Sequence, residues 1–114
     1  MSNITVKRIY EPRASTDGYR ILVDRLWPRG VRKEDAHIDV WMKEVAPSTE
    51  LRQWYHAHLD EWDAFRQRYT AEIKGSEALK ALKEAVQKHP HTTLLYASRE
   101  EEHNHALILQ KLLQ

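Results

Sequence analysis

Residues 20–32 gather Arg20, Asp24, Arg25, Arg29 and Arg32 around the stretch LVDRLWPRG at 22–30. A guanidinium offers a rigid fork of donors that matches a carboxylate or phosphate, so Arg20, Arg25 and Arg29 are candidate contacts to a small anion. Asp24 sits among them as a candidate catalytic group: it can orient an arginine, accept a proton or touch a metal. The competing use is structural, with Asp24 paired to one arginine and the others lying along aromatic rings.

A second group lies near the C-terminus, where SREEEHNHA at 98–106 brings a serine, three glutamates and two histidines together. Histidine is the side chain suited to proton transfer near neutrality, which makes His105 a candidate acid–base group. His103 and His105 are two apart and so point about 200 degrees from one another on a helix, whereas Glu101 and His105 share a face. A metal held by these side chains with His56 or His58 is therefore the weaker use, and no metal ligands are assigned. Amides freed at a helix start near Arg99 to Glu101 would suit an anion, but three carboxylates already occupy that turn and repel one. Ser98 lacks the glycines of a nucleophile elbow and reads as a helix cap, with Glu101 completing a capping box. The chain has no GxGxxG, Walker lysine loop or HExxH, and it contains no cysteine, which excludes thiolate chemistry.

The elements that hold these groups follow from periodicity. ITVKRIY at 4–10 alternates as a strand, and a second runs from near Tyr19 through Ile21, Leu22 and Val23, an apolar run suited to burial on both sides. Pro12, Ser15, Asp17 and Gly18 supply the turn between them. Pro28 restricts Trp27 to extended geometry and Gly30 permits a turn, so Trp27 to Gly30 form a pre-ordered exit loop. A short helix is expected around Val40 to Val45. Ser48 then caps a helix with Leu51, Trp54 and Tyr55 on one face. A helix from Asp60 carries Trp62, Phe65, Tyr69 and Ile73, and one after Gly75 and Ser76 carries Leu79, Leu82 and Val86 as far as Pro90. TTLLYAS at 92–98 is a central strand, and the final helix, capped by Ser98, is apolar around much of its circumference. Three strands and four or five helices predict a small α/β three-layer sandwich, a mainly parallel short sheet flanked by helices, as one domain over residues 1–114.

Composition limits the partners. At 114 residues the chain can bury roughly 65% of its unfolded surface and needs no disulfide. No apolar run approaches the roughly 20 residues that span a bilayer and nothing resembles a signal segment, so a cytoplasmic protein without a membrane partner is expected. The net charge of +1 argues against nucleic acid. Residues 1–33 nevertheless carry eight Lys and Arg against three acids, and residues 34–114 ten against fourteen. That split suits a local anion site, or attraction between halves within the fold or between subunits. The leading expectation is binding or processing of a small phosphate- or carboxylate-bearing ligand, with no cofactor assigned. The alternative is a non-enzymatic structural protein or homodimer with Trp27 and the last helix at the contact. A nucleic-acid module stacking bases on Trp27 and Tyr19 is the weaker third.

DGYRILVDRLWPRG at 17–30, APSTELRQWYHA at 46–57, WDAFRQRYTAEI at 62–73 and TLLYASREEEHNHALIL at 93–109 together resemble the YeaO-like family of bacterial proteins, a domain of unknown function. The resemblance covers nearly the whole chain. It implies a small α/β fold and directs attention to Asp17, Gly18, Arg20, Asp24, Arg25, Pro28, Arg29 and Gly30, then to Pro47, Leu51, Arg52 and Trp54, and finally to Tyr96, Asn104, His105 and Ala106. Through it Asn104 joins the candidate ligand-binding residues. The chain departs from the pattern at ASREEE, where a shorter or aspartate-containing form is common. More distant relatives carry a cysteine after the strand and a Cys-His-Arg cluster in the last helix. Here Ala97 and Asn104, His105 and Ala106 stand in those places, so the resemblance carries over no thiol chemistry.

Overall fold

The computed structural model describes residues 3–114. Among them, β1 (Asn3–Arg8), β2 (Tyr19–Leu22), β3 (Val40–Trp41) and β4 (His91–Tyr96) form one parallel sheet in the order β1-β4-β2-β3. The helices are α1 (Lys33–Ala36), α2 (Thr49–His56), α3 (Trp62–Ile73), α4 (Glu77–Gln87) and α5 (His105–Leu113).

A parallel strand between two others is buried on both faces, which accounts for the apolar run Leu94–Tyr96 in β4 and for the full burial of Thr92 and Thr93 before it. Leu94 lies opposite Val6 on one side and Ile21 on the other. With Ile4, Ile21, Val23 and Tyr96 it faces the helices, which contribute Leu51, Phe65, Tyr69, Ile73, Leu82, Val86 and Leu109 to the main core. Leu22 and Leu95 turn to the opposite face, where Ile9, Ala36, Trp27, Val31, Ile38 and Trp41 form a thinner cover of loop and α1. This is the three-layer α/β sandwich read from the sequence, with one covering layer made mostly of loop.

The remainder of that second face is polar. Thr5 and Thr93 share a hydrogen bond of 2.9 Å, and the buried Asp17 carboxylate accepts from Lys7 at 3.2 Å and from Arg20. Burial alone would push the Asp17 carboxyl up, but the Ala14 amide and the Lys7 and Arg20 cations outweigh it and hold the carboxyl below its usual range. Gly18 follows at φ 69, and a Cβ there would overlap the His91 carbonyl oxygen, so only glycine lets β2 start this close to β4.

Two elements differ from expectation. Val40 and Trp41 form an edge strand instead of opening a helix, because backbone bonds from Asp39 N to Arg20 O (2.8 Å) and Met42 N to Leu22 O (2.9 Å) hold them alongside β2. Only a single 3-10 turn, Lys43–Val45, follows. The last helix starts at His105, later than the Ser98 cap predicts. Ser98 Oγ accepts from the Glu100 amide at 3.1 Å in a local turn, while Asn104 Oδ1 accepts from Leu107 N at 3.1 Å as the actual N-cap. By contrast Ser48 and Ser76 cap α2 and α4 through the Leu51 and Leu79 amides, both at 3.1 Å.

Candidate functional site

The connection after β2 leads outward to β3, whereas the chain leaving β4 returns as α5 to pack on β1 and β4. Adjacent strand ends that send their chains in opposite directions leave a crevice at the carboxyl edge of a parallel sheet. A cleft of about 560 Å³ opens there, walled by the β2 exit loop, α2 and the loop before α5.

Asp24 and His105 meet at its floor. His105 Nε2 lies 3.2 Å from Asp24 Oδ1 and 2.9 Å from the Val23 carbonyl oxygen. Both partners accept, so Nε2 carries the proton; the tautomer is assigned from these bonds. The other carboxylate oxygen of Asp24 accepts from Ala97 N at 2.9 Å, and its carbonyl accepts from Trp41 Nε1 at 2.6 Å. Asp24 thus ties the ends of β2, β3 and β4 together while orienting His105. Tyr69 meets the same imidazole edge-on, at 6.1 Å between ring centroids, and donates to the Val45 carbonyl. Burial, with Glu72 adding to it, pushes the Tyr69 phenol far up, so this donor stays protonated.

The arginines separate into distinct roles. Arg20 is buried on the other face of the sheet, paired with Asp17 and donating to the His37 and Ala36 carbonyls at 2.9 and 3.1 Å; it does not line the cleft. Arg25 lines it but gives Nε to Pro47 O and Nη2 to Ala46 O, both at 3.1 Å, which fastens the loop to the entrance of α2. Arg29 and Arg52 also line it, and among the described residues neither side chain makes a hydrogen bond or ion pair. The Arg29 carbonyl accepts from Tyr10 Oη at 2.9 Å, so its backbone is fixed while its guanidinium stays available. Arg32 pairs with Asp35 at 2.9 Å on the exposed surface.

Asn104 reaches the cleft wall with its amide already engaged, Oδ1 as the cap and Nδ2 donating to the Glu100 and Glu101 carbonyls at 2.9 and 3.3 Å. The loop from Ala97 to Asn104 is therefore pinned at both ends. Trp27 lines the cleft half-buried and held in place: Nε1 donates to Val31 O at 2.7 Å and the ring meets Trp41 edge-on. Sequence patterning did not single out Arg52, Tyr55, His56 and Leu59 as one wall. Their signal is the recurrence at intervals of three and four from position 52, which runs beside the Leu51, Trp54 and Tyr55 face of α2, shares Tyr55 with it, and carries on into the turn at Leu59. Among the described residues no three His, Asp or Glu side chains come together as a metal site, and no helix is long and apolar enough to cross a membrane.

Fold and site together define a small parallel α/β sandwich with a strand-end cleft built on an Asp–His pair and flanked by arginines. The chain belongs to the DUF488-N3 family, residues 3–114 matching the model described as the inactive DUF488-N3 subclade. It is 47% identical over 113 residues to uncharacterized protein YeaO of Escherichia coli, covering 98% of this chain and 97% of that protein. It is 41% identical over 112 residues to uncharacterized protein Rv3073c of Mycobacterium tuberculosis, covering 98% and 94%. No solved structure matches.

Proposed function

We propose that the cleft binds a small anionic ligand without turning it over, with Arg29 and Arg52 as its charge partners. The observation that carries this reading is the presence in one strand-end cleft of two guanidinium groups with no partner among the described residues. Arg25 adds a third positive charge, and the wall's carboxylates are Asp24 and Glu100, so positive charge predominates there. Asp24 and His105 supply a fixed polar floor: their mutual bond and their bonds to Val23 and Ala97 hold the imidazole in one tautomer.

Binding alone is favoured over processing. The subclade's description as inactive agrees with a cleft in which Ser98 Oγ is engaged by the Glu100 amide and no cysteine exists. A cytoplasmic setting accords with a chain that uses no disulfides. Amide NMR titration with acetate and with inorganic phosphate tests the reading. Shifts should cluster on the β2 exit loop, α2 and the 97–104 loop, and Arg29→Ala and Arg52→Ala should each weaken binding about tenfold, the scale of one lost charge-assisted hydrogen bond. Unchanged affinity in both variants would contradict it.

A further inference from the structure

Two observations beyond the charges say what the anion is attached to. Tyr10, Leu26 and Leu59 are the exposed large hydrophobic side chains among the described residues, at 45, 59 and 65% of full exposure, and all three line this one cleft. Exposed apolar residues scattered singly are ordinary, whereas their convergence on one rim marks a surface that water leaves on binding. Inside the rim, Tyr55 stacks on Phe65 with 4.3 Å between ring centroids, and Trp27 is locked by Val31 and Trp41. The aromatic wall is therefore ordered before a ligand arrives, which reduces the entropy lost on binding.

Resting on the anion-binding reading, we infer that the ligand is an aryl anion: a carboxylate or phosphate carried on a flat apolar ring system. Its charge is met by Arg29 and Arg52, and its ring lies against Tyr10, Leu26, Tyr55 and Leu59. Acetate or phosphate alone would leave most of a cleft of about 560 Å³ and its apolar rim wet, while a neutral arene would leave the guanidinium groups unmatched. Aromatic walls with arginines beside them favour a flat ring, which stacks on both.

Titration of the full chain with 2-naphthoate, 2-naphthyl phosphate, acetate, inorganic phosphate and neutral 2-naphthamide tests this. Each aryl anion should bind at least about tenfold more tightly than its simple counterpart, and the two aryl arms distinguish a carboxylate from a phosphate head. Leu59→Ser, at a position 65% exposed, should retain the wild-type circular dichroism and melting curve while erasing most of the aryl advantage. Arg52→Ala should weaken all four anions. Equal affinity for aryl and simple anions overturns the inference and leaves the anion reading standing. If 2-naphthamide binds as tightly as 2-naphthoate, or none of the five binds, both are overturned. Self-association of the wild type that Leu59→Ser abolishes in sedimentation also overturns the inference, since the rim would then belong to a second copy of the chain.

Discussion

Asp24 and Asp17 are two aspartates on either side of one strand with opposite surroundings, and each has its own consequence. Asp24 accepts a backbone amide and orients an imidazole at the cleft, whereas Asp17 is enclosed by Lys7 and Arg20 on the far face. Because the Asp17 carboxyl is held below its usual range, folding gains stability from it above the unfolded aspartate range of about 3.9, and loses that stability as pH falls through the lower folded value. Asp17→Asn should lower unfolding free energy at neutral pH by about 3 kcal/mol, since it leaves Arg20 buried without its counter-charge. It should also flatten the acid limb of a plot of urea midpoint against pH; an acid limb as steep as the wild type would count against the assignment. The residue types in both groups were readable from sequence, but not their division. Period-two alternation gives the missing signal: Arg20 shares parity with Leu22, and Ile21 with Val23, so once the helices claim Ile21 the guanidinium of Arg20 must lie on the other face. Asp24 and His105, nominated from opposite ends of the chain, meet at 3.2 Å, a distance no local pattern encodes.

The last helix shows why local capping signals are insufficient on their own. Ser98 with Glu101 and Asn104 with Leu107 offer rival starts, and the later one forms because Asn104 satisfies three backbone groups at once. Asn104→Ala should cost about 1 to 2 kcal/mol in chemical unfolding, whereas Ser98→Ala should change stability by less than about 0.5 kcal/mol. Equal losses would place the cap wrongly. The helices α2 and α4 were readable because their apolar stripes and serine caps agree, with Ser48 ahead of Leu51 and Ser76 ahead of Leu79, and α3 was readable from its Trp62, Phe65, Tyr69 and Ile73 stripe alone. The strand at Val40–Trp41 was not, because a two-residue edge strand has no period of its own and is defined only by the β2 backbone beside it.

The molecule's architecture follows from a chain that leaves β1, builds β2 and β3 outward, and returns to insert β4 between β1 and β2. That insertion buries the apolar runs of β2 and β4 and sets their carboxyl ends side by side, which brings the basic first third of the sequence to the start of α5. The parallel sheet and its helical cover were evident from the apolar runs at 21–23 and 94–96; the strand order was not, since parallel partners are chosen by long-range packing rather than by neighbouring residues. The cleft is a product of that order, and its apolar rim gathers residues from the β1–β2 connection, the β2 exit and the turn after α2. Whether this cleft holds an anion is decided by an amide NMR titration of the wild type and an Arg29→Ala, Arg52→Ala double variant with 2-naphthoate. The wild type should show saturable shifts confined to the cleft loops and α2, and the double variant, still folded, should lose affinity by about a hundredfold, the sum of two such contacts. The same affinity in both proteins, or shifts that bypass Asp24, Arg25 and His105, would contradict it.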